Sequence, residues 1–300
     1  MITIYHKDGK EKDIKIIKEP DKDSWVHVES PTYTELLQLK EKLQLDESVL
    51  ADAIDRHEIP RIEIENDVVY LFTRFAYMKE SQIKTAPILI ILATNHIISI
   101  SIEPFPRLEP VLQLKPTTAH RLKLLIKLLS EVQETYSLAL NVISKNVRIY
   151  TYELEKIKNK DIVQFVLFEN DLHDFNLALV KTNKDISSLL SRKIVPLSNS
   201  EHDKLEDVYL SNSQLIDICN ENIRTIVNLR ESYSTIITNN LNRVIKLFTS
   251  LTVILTIPTV ISSFFGMNVA LPNTTFIQIV FVTSLISTFA LVIFIYKDWL

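Results

Sequence analysis

Two runs near the end of the chain contain no charged residue, Leu247–Phe265 and Phe276–Tyr296. A helix needs roughly 20 apolar residues to cross the ~30 Å hydrocarbon core of a bilayer, and each run is that long. Two such runs so close together predict a membrane hairpin rather than core helices of a soluble protein. Earlier in the chain the pattern is different. Short apolar runs bounded by turn residues predict strands at Ile2–Tyr5, Ile14–Lys18, Trp25–Val28, Arg61–Glu65, Val68–Tyr77, Ile88–Leu92 and His96–Ile102. Helices are expected at Thr32–Leu43 and Asp46–Asp55, and Pro104, Pro106, Pro110 and Pro116 mark a boundary.

Beyond that boundary, leucine and isoleucine recur at steps of three and four over Thr118–Lys158 and Ile162–Leu190, which predicts long helices. After Pro196, with Ser198 or Ser200 as a cap, no proline intervenes until Pro258. At 1.5 Å per residue that stretch makes a helix on the order of 90 Å long, running into the bilayer. A helix so long needs partners, and identical copies around an axis are the simplest supply. The expected fold class is α+β. An αβα sandwich-like domain at 1–116 is followed by a helical region at 117–197 and a long stalk helix at 198–246. Transmembrane helices at 247–265 and 276–296 flank a loop at 266–275, and a tail occupies 297–300.

Charge sets the orientation. Arg243 and Lys246 precede the first span and Lys297 follows the second, whereas 266–275 carries no charge. The positive-inside rule then places both termini in the cytoplasm, and Met1–Lys7 is too short and too soon charged to act as a signal peptide. The net charge of -4 gives no electrostatic reason to expect nucleic acid. A single cysteine, Cys219, allows no intrachain disulfide. Seven histidines lie scattered without metal-ligand spacing, and His96 and His173 read as structural; neither a zinc enzyme nor any other enzyme is expected. Of two glycines, Gly9 reads as a hairpin turn. No phosphate-binding loop can therefore form ahead of the spans, and no nucleotide is expected. Gly266, between the spans, suggests a special backbone conformation or a close approach.

The helix entering the bilayer carries side chains that do not suit lipid. Glu231, Thr235, Thr238, Asn242, Ile245, Thr249, Thr252, Thr256, Thr259 and Ser263 follow at alternating steps of three and four. That 3.5-residue repeat belongs to helices packed around a common axis. A hydroxyl and amide seam suits water along that axis. The alternative is that the threonines bond back to their own helix or glue neighbours together without a pore. Ile245 is the one apolar member, a candidate constriction that closes by dewetting. A shift of one residue would bring Phe248 or Leu255 to the axis instead.

At the end of this helix stands Phe265-Gly266-Met267-Asn268-Val269, which resembles the aromatic-Gly-Met-Asn-Val signature of the CorA family of divalent-cation transporters. Ile59-Pro60-Arg61-Ile62-Glu63 is similar to the family's Arg-Pro-x-x-Glu stretch with the proline displaced, and Lys297-Asp298-Trp299-Leu300 to its basic-Trp-Leu ending. The resemblance implies a homopentameric funnel in the cell (inner) membrane, with the lipid bilayer, Mg²⁺ and further copies of the chain as its partners. Gly266, Met267 and Asn268 would form the selectivity ring, Asn242 an asparagine deep in the pore, Ile245 the hydrophobic gate and Glu231 an acidic ring. Among the acids Glu201, Asp203, Glu206 and Asp207, it implies a regulatory Mg²⁺ site between subunits at Asp207 and Asp203. Helix capping is the plainer reading of those acids. Asn273 stands where many members carry an acid, and the basic run after the second span is reduced to Lys297. The expected activity is passive, Mg²⁺-gated entry of Mg²⁺, with Co²⁺ or Ni²⁺ as further cargo. Transport of Zn²⁺ or another transition metal by the same architecture is the first alternative, and a membrane-tethered scaffold or signalling protein without a pore is the second.

Overall fold

The computed structural model describes the chain apart from residues 8–12, 81, 153–156, 269–271 and 300 and the side chain of Tyr152. The Gly9 turn, Val269 of the loop signature and the terminal Leu300 therefore lie outside the described residues. Two compact units are present, Met1–Asn228 and Leu229–Leu300.

The first unit is built on a seven-stranded sheet. Its strands are β1 (Ile2–His6), β2 (Lys15–Ile17), β3 (Ser24–Glu29), β4 (Arg61–Glu65), β5 (Val68–Lys79), β6 (Gln82–Leu92) and β7 (His96–Ser101), in the order β2-β1-β3-β7-β6-β5-β4. Only β3 and β7 run parallel. The central strands are apolar on both faces, as they must be when both are covered. One face packs Val26, Val28, Tyr70, Phe72, Leu89, Ile91, Ile98 and Ile100 against helices α1 (Tyr33–Leu43) and α2 (Glu47–Asp52). The other packs against α4 (Arg121–Tyr152) and α5 (Asn159–Leu190), where Thr73 meets Thr182 at 2.9 Å and Thr135 accepts from the Ala76 backbone N–H at 2.9 Å. This is the αβα sandwich expected.

Local chemistry fixes the ends. Thr32 and Glu35 form a capping box on α1, and Asp46 accepts from the N–H groups of Ser48 and Val49 to start α2. Arg61, in the Pro-Arg-Ile-Glu stretch, is held by Asp52 at 2.7 Å, Glu63 at 2.5 Å and Glu58, and lies over the Phe72 ring at 4.1 Å. Arg61 and Glu63 share a face of edge strand β4 because side chains alternate along a strand. Two elements differ from expectation. Strand β6 begins at Gln82 rather than Ile88, because pairing along β5 carries it through the polar stretch. Within the proline-rich boundary lies a short helix, α3 (Leu108–Gln113), with Pro110 in its first turn, where a missing N–H costs nothing.

Helix α6 runs Asn199–Phe265 and α7 runs Phe276–Tyr296. Ser198 and Glu201 form the capping box of α6, with Ser198 N–H donating to Glu201 at 3.0 Å and Glu201 N–H to Ser198 Oγ at 3.3 Å. In the first unit α6 is held by side-chain amides. Gln133 donates to the Val208 carbonyl (2.6 Å), Asn222 to Ser144 Oγ (2.9 Å), Asn176 to Asn220 (2.5 Å), Asn183 to Ser213 (3.0 Å) and Asn212 to the Leu179 carbonyl (2.7 Å).

Helix α5 also holds a strained charge. Burial, with Asp174 one turn away, pushes the Asp171 carboxyl up to about 6 from 3.8. A folded-state pKa above the unfolded value means that protonation favours the fold. The cost of ionisation is complete above about 6 and fades as pH falls toward 3.8. Asp171→Asn should raise the melting temperature by about 2–4 °C at pH 7.5, with less than half of that gain remaining at pH 4.5. Differential scanning fluorimetry at both pH values checks this, and an equal gain at both would contradict the burial argument.

Candidate ion pathway along the membrane hairpin

Both α6 and α7 contain stretches long and apolar enough to cross a membrane, and only 6% and 0% of those stretches are buried. Helices this apolar and this bare need lipid or further chains around them. Within the hairpin, the better-covered positions of α6 are Ser250, Ile254, Ile257, Ile261 and Phe265, and those of α7 are Ile279, Thr283, Ser287, Ala290 and Phe294. Each set repeats at three- and four-residue steps. These are the stripes the two helices turn toward one another.

The seam lies on the other side of α6. At about 100° per residue, Thr252, Thr256, Thr259 and Ser263 fall roughly opposite the stripe of Ile254, Ile257 and Ile261. Glu231, Thr235, Thr238, Asn242, Ile245, Thr249, Thr252, Thr256, Thr259 and Ser263 are all exposed. Phe248 and Leu255, which a one-residue shift would bring to the axis, are exposed as well. Helix α7 thus half-covers the stripe of Ile254, Ile257 and Ile261 and leaves the hydroxyl seam open, together with apolar neighbours such as Phe248, Leu251 and Leu255.

Five seam threonines bond back to their own helix. Thr235, Thr238, Thr252, Thr256 and Thr259 donate to the carbonyls of Glu231, Ser234, Phe248, Thr252 and Leu255, at 2.7–3.0 Å. Back-bonding does not make the seam inert. It consumes the hydroxyl proton and leaves the oxygen lone pairs pointing outward, so the open surface of the seam is an acceptor surface.

Helix α6 ends at the loop signature. Gly266 N–H donates to the carbonyls of Ser262 and Ser263, both at 3.1 Å, and Met267 N–H to that of Phe264 at 3.3 Å. Of the two expectations for Gly266, a special backbone or a close approach, the first does not hold. Gly266 does not have a positive φ, and an added Cβ would meet only the Ser263 and Ser262 carbonyl oxygens at 3.5 and 3.7 Å, ordinary contact distances. Among the described residues, nothing forbids a side chain at Gly266. Met267 and Asn268 are exposed.

The acids at the start of α6 separate by role. Glu201 is part of the capping box, whose hydrogen bonds from Ser198 hold its carboxyl below the usual range against the opposing effect of burial. Asp203 and Asp207 are exposed, and Asp207 lines a groove of about 610 Å³ between α4 and α6 together with Lys123, Lys127 and Lys204. Among the described residues no three His, Cys, Asp or Glu side chains converge to hold a metal ion. Elsewhere, Ser99 Oγ meets His27 Nδ1 at 2.7 Å and His27 Nε2 meets Glu29 at 3.1 Å, the connectivity of a nucleophile relay. Ser99 and His27 are 0% and 3% exposed, and Trp25 Nε1–H also donates to Ser99, so no substrate can reach them. His96 is likewise structural, bonded to Ser24 Oγ at 3.0 Å, and burial lowers its pKa.

A sequence profile described as CorA-like Mg²⁺ transporter protein matches residues 21–297. The chain belongs to that family. The cobalt/magnesium transport protein CorA of Methanocaldococcus jannaschii is 25% identical over 253 residues, covering 81% of this chain and 79% of the relative. The complete structure of the CorA magnesium transporter from that organism superposes with a TM-score of 0.83 at 21% identity, over 99% of this chain and 96% of the other. The full-length CmaX protein gives 0.79 at 14% identity, over 99% and 97%. The cytoplasmic domain of ZntB from Vibrio parahaemolyticus gives 0.65 at 11% identity, over 79% and 98%. The shared fold includes the α/β domain, the long helix and the C-terminal apolar helix, and membership of the family together with the two apolar helices makes this a membrane protein.

Two further hairpin residues, Ser250 and Ser287, escape a reading of the sequence. Both are serines among many hydroxyl residues, and only the pairing of α6 with α7 sets them apart. Opposite faces of α6 also differ in a directly measurable way. The native Cys219 is fully buried and burial pushes its thiol up to about 12, so it is silent toward thiol reagents. In the CorA hairpin, Thr252→Cys should react with a membrane-impermeant methanethiosulfonate at least about tenfold faster than Ile257→Cys. Equal rates would mean that the hydroxyl face is no wetter than the covered one.

Proposed function

We propose that the chain is a passive channel-type transporter carrying Mg²⁺ into the cell, with Co²⁺ or Ni²⁺ as further cargo. The observation that carries this is the hydroxyl face of α6, left open on the side away from α7. Five copies around an axis, each turning that face inward, would line a pore with Glu231, Thr235, Thr238, Asn242, Thr249, Thr252, Thr256, Thr259 and Ser263. The outer ring of α7 helices would meet lipid. Membership of the family and the likeness to complete CorA support the arrangement. The flanks Arg243, Lys246 and Lys297 support cytoplasmic termini in the cell (inner) membrane.

The chemistry of the seam fits the cargo. Mg²⁺ prefers octahedral oxygen ligands and gives up water reluctantly. The waters it holds point their hydrogens outward, so a wall suited to the hydrated ion must present acceptors. Threonines whose own protons are spent on the helix backbone do so. At the outer mouth, Gly266 allows copies to approach closely, and the Asn268 amides offer oxygens to the ion's water shell, with Met267 beside them. Weak, outer-sphere contacts permit release as well as capture. At the inner end Asn242 offers another amide ring and Glu231 an acidic one, and Ile245 narrows the path with an apolar ring that water leaves readily. An inside-negative potential supplies roughly 2.3 kcal/mol per charge per 100 mV, and about twice that for a dication, so no nucleotide is needed.

Asn268→Ala should abolish Mg²⁺ uptake into proteoliposomes while oligomer mass in detergent is unchanged. Normal uptake would contradict the filter assignment. Competition by Zn²⁺ in the same assay separates the transition-metal reading, and a monomer or dimer with a dry bundle would support the scaffold. Regulation is assigned to Asp207 and Asp203, each facing acids of a neighbouring copy across a bound Mg²⁺ that holds the pore shut. Asp207→Ala should then lose the Mg²⁺-dependent protection of α6 from limited proteolysis; protection retained at the same Mg²⁺ concentration would remove Asp207 from the site.

A further inference from the structure

The stripe between α6 and α7 contains three hydroxyl side chains, and their partners differ. Ser250 donates to the Leu247 carbonyl at 2.9 Å and Thr283 to the Ile279 carbonyl at 2.8 Å, each within its own helix. Ser287 Oγ is buried and has no hydrogen-bond partner. In a bilayer such a hydroxyl has no water to turn to, and leaving it unpaired is costly.

A complementary orphan lies on the facing helix. Pro258 sits inside α6 and has no N–H, so the carbonyl four residues earlier, Ile254, lacks its helical donor. Ile254 is on the stripe turned toward α7. Ile254 lies eleven residues before the end of α6 and Ser287 eleven residues after the start of α7, so in an antiparallel hairpin they stand at about the same depth. The one unsatisfied hydroxyl of the stripe is therefore level with the one carbonyl that proline sets free.

We propose that Ser287 is a latch for a bend of α6 at Pro258: in a second conformation its hydroxyl donates to the Ile254 carbonyl, and the balance between latched and unlatched α6 sets the rate of ion flow. The flow clause rests on the pore reading above; the latch itself does not. Proline is the place where a helix bends at least cost, because one backbone bond is already missing. The bend turns the lower part of the seam relative to the upper part, which would widen or narrow the path near Ile245.

The test is a double-mutant cycle in proteoliposomes with Ser287→Ala, Pro258→Ala and both together. Two readouts are used: Mg²⁺ flux, and spin-label distances between positions 246 and 297 measured by pulsed electron resonance. Interhelical hydrogen bonds in membranes are modest, so Ser287→Ala alone should change flux about threefold and shift the populations of two distances. Both effects should vanish in the Pro258→Ala background, where the Ile254 carbonyl regains a backbone donor. Ser287→Thr, which keeps the hydroxyl, should behave as the parent protein. Additive effects of the two substitutions, or a single distance population that Ser287→Ala leaves unchanged, would overturn the latch. Absence of flux from every variant and from the parent would remove the pore reading alone, since the distances still decide the latch.

Discussion

A polar side chain in a bilayer must find its partner within protein or along a water-filled path, and that constraint organises this hairpin. Helix α6 has an apolar side, with Ile254, Ile257 and Ile261, and a hydroxyl side, with Thr252, Thr256 and Thr259. Lipid suits the first, whereas on the second the hydroxyl protons are spent on the helix and acceptor lone pairs remain. Since α7 takes the apolar side, the hydroxyl side is left for water or for other copies of α6. The proposed pore follows this division. Back-bonding by the threonines reconciles two readings that looked exclusive in the sequence. The same hydroxyl can serve its own helix with its proton and an aqueous path with its lone pairs.

The first unit treats α6 differently. There the helix meets α4 and α5 through the amides of Gln133, Asn176, Asn183, Asn212 and Asn222 as well as through apolar side chains such as Leu205 and Ile226. Each such bond contributes only about 0.5–1.5 kcal/mol net, but a buried amide left unpaired costs more. Amides therefore fix the register of a helix more sharply than leucines do, because a slide of one residue breaks them all at once. Asn183 Oδ1 and Asn212 Oδ1 nonetheless remain buried without partners, so the register is specified without being fully satisfied.

Much of the fold was legible because its signals are local. The apolar runs, the period-two strands and the caps at Thr32, Asp46 and Ser198 all act within a few residues. The strand Arg61–Glu65 was readable to its ends for that reason. Elements that depend on a distant partner were not. The first half of β6 contains Gln82, Lys84 and Thr85 and becomes strand only because β5 pairs along its length. Pro110 of α3 reads as a break because a proline's tolerance in the first turn depends on where the helix begins.

The candidate site divides in the same way. By itself the sequence determined the two spans, the loop signature Gly266-Met267-Asn268 and the 3.5-residue repeat of hydroxyls, since hydrophobicity and periodicity are properties of the chain. It could not say which side of α6 its neighbour covers, because a repeat gives spacing and not direction. It suggested a special backbone or a close approach at Gly266, and of these the structure shows that the backbone has no positive φ. It grouped Glu201, Asp203, Glu206 and Asp207 and left open whether they cap the helix or hold a metal; the fold puts Glu201 in the cap and Asp207 in a groove bordered by lysines. Only the tertiary structure showed that Ser287 is buried without a partner, because that depends on which side of α7 its neighbour covers.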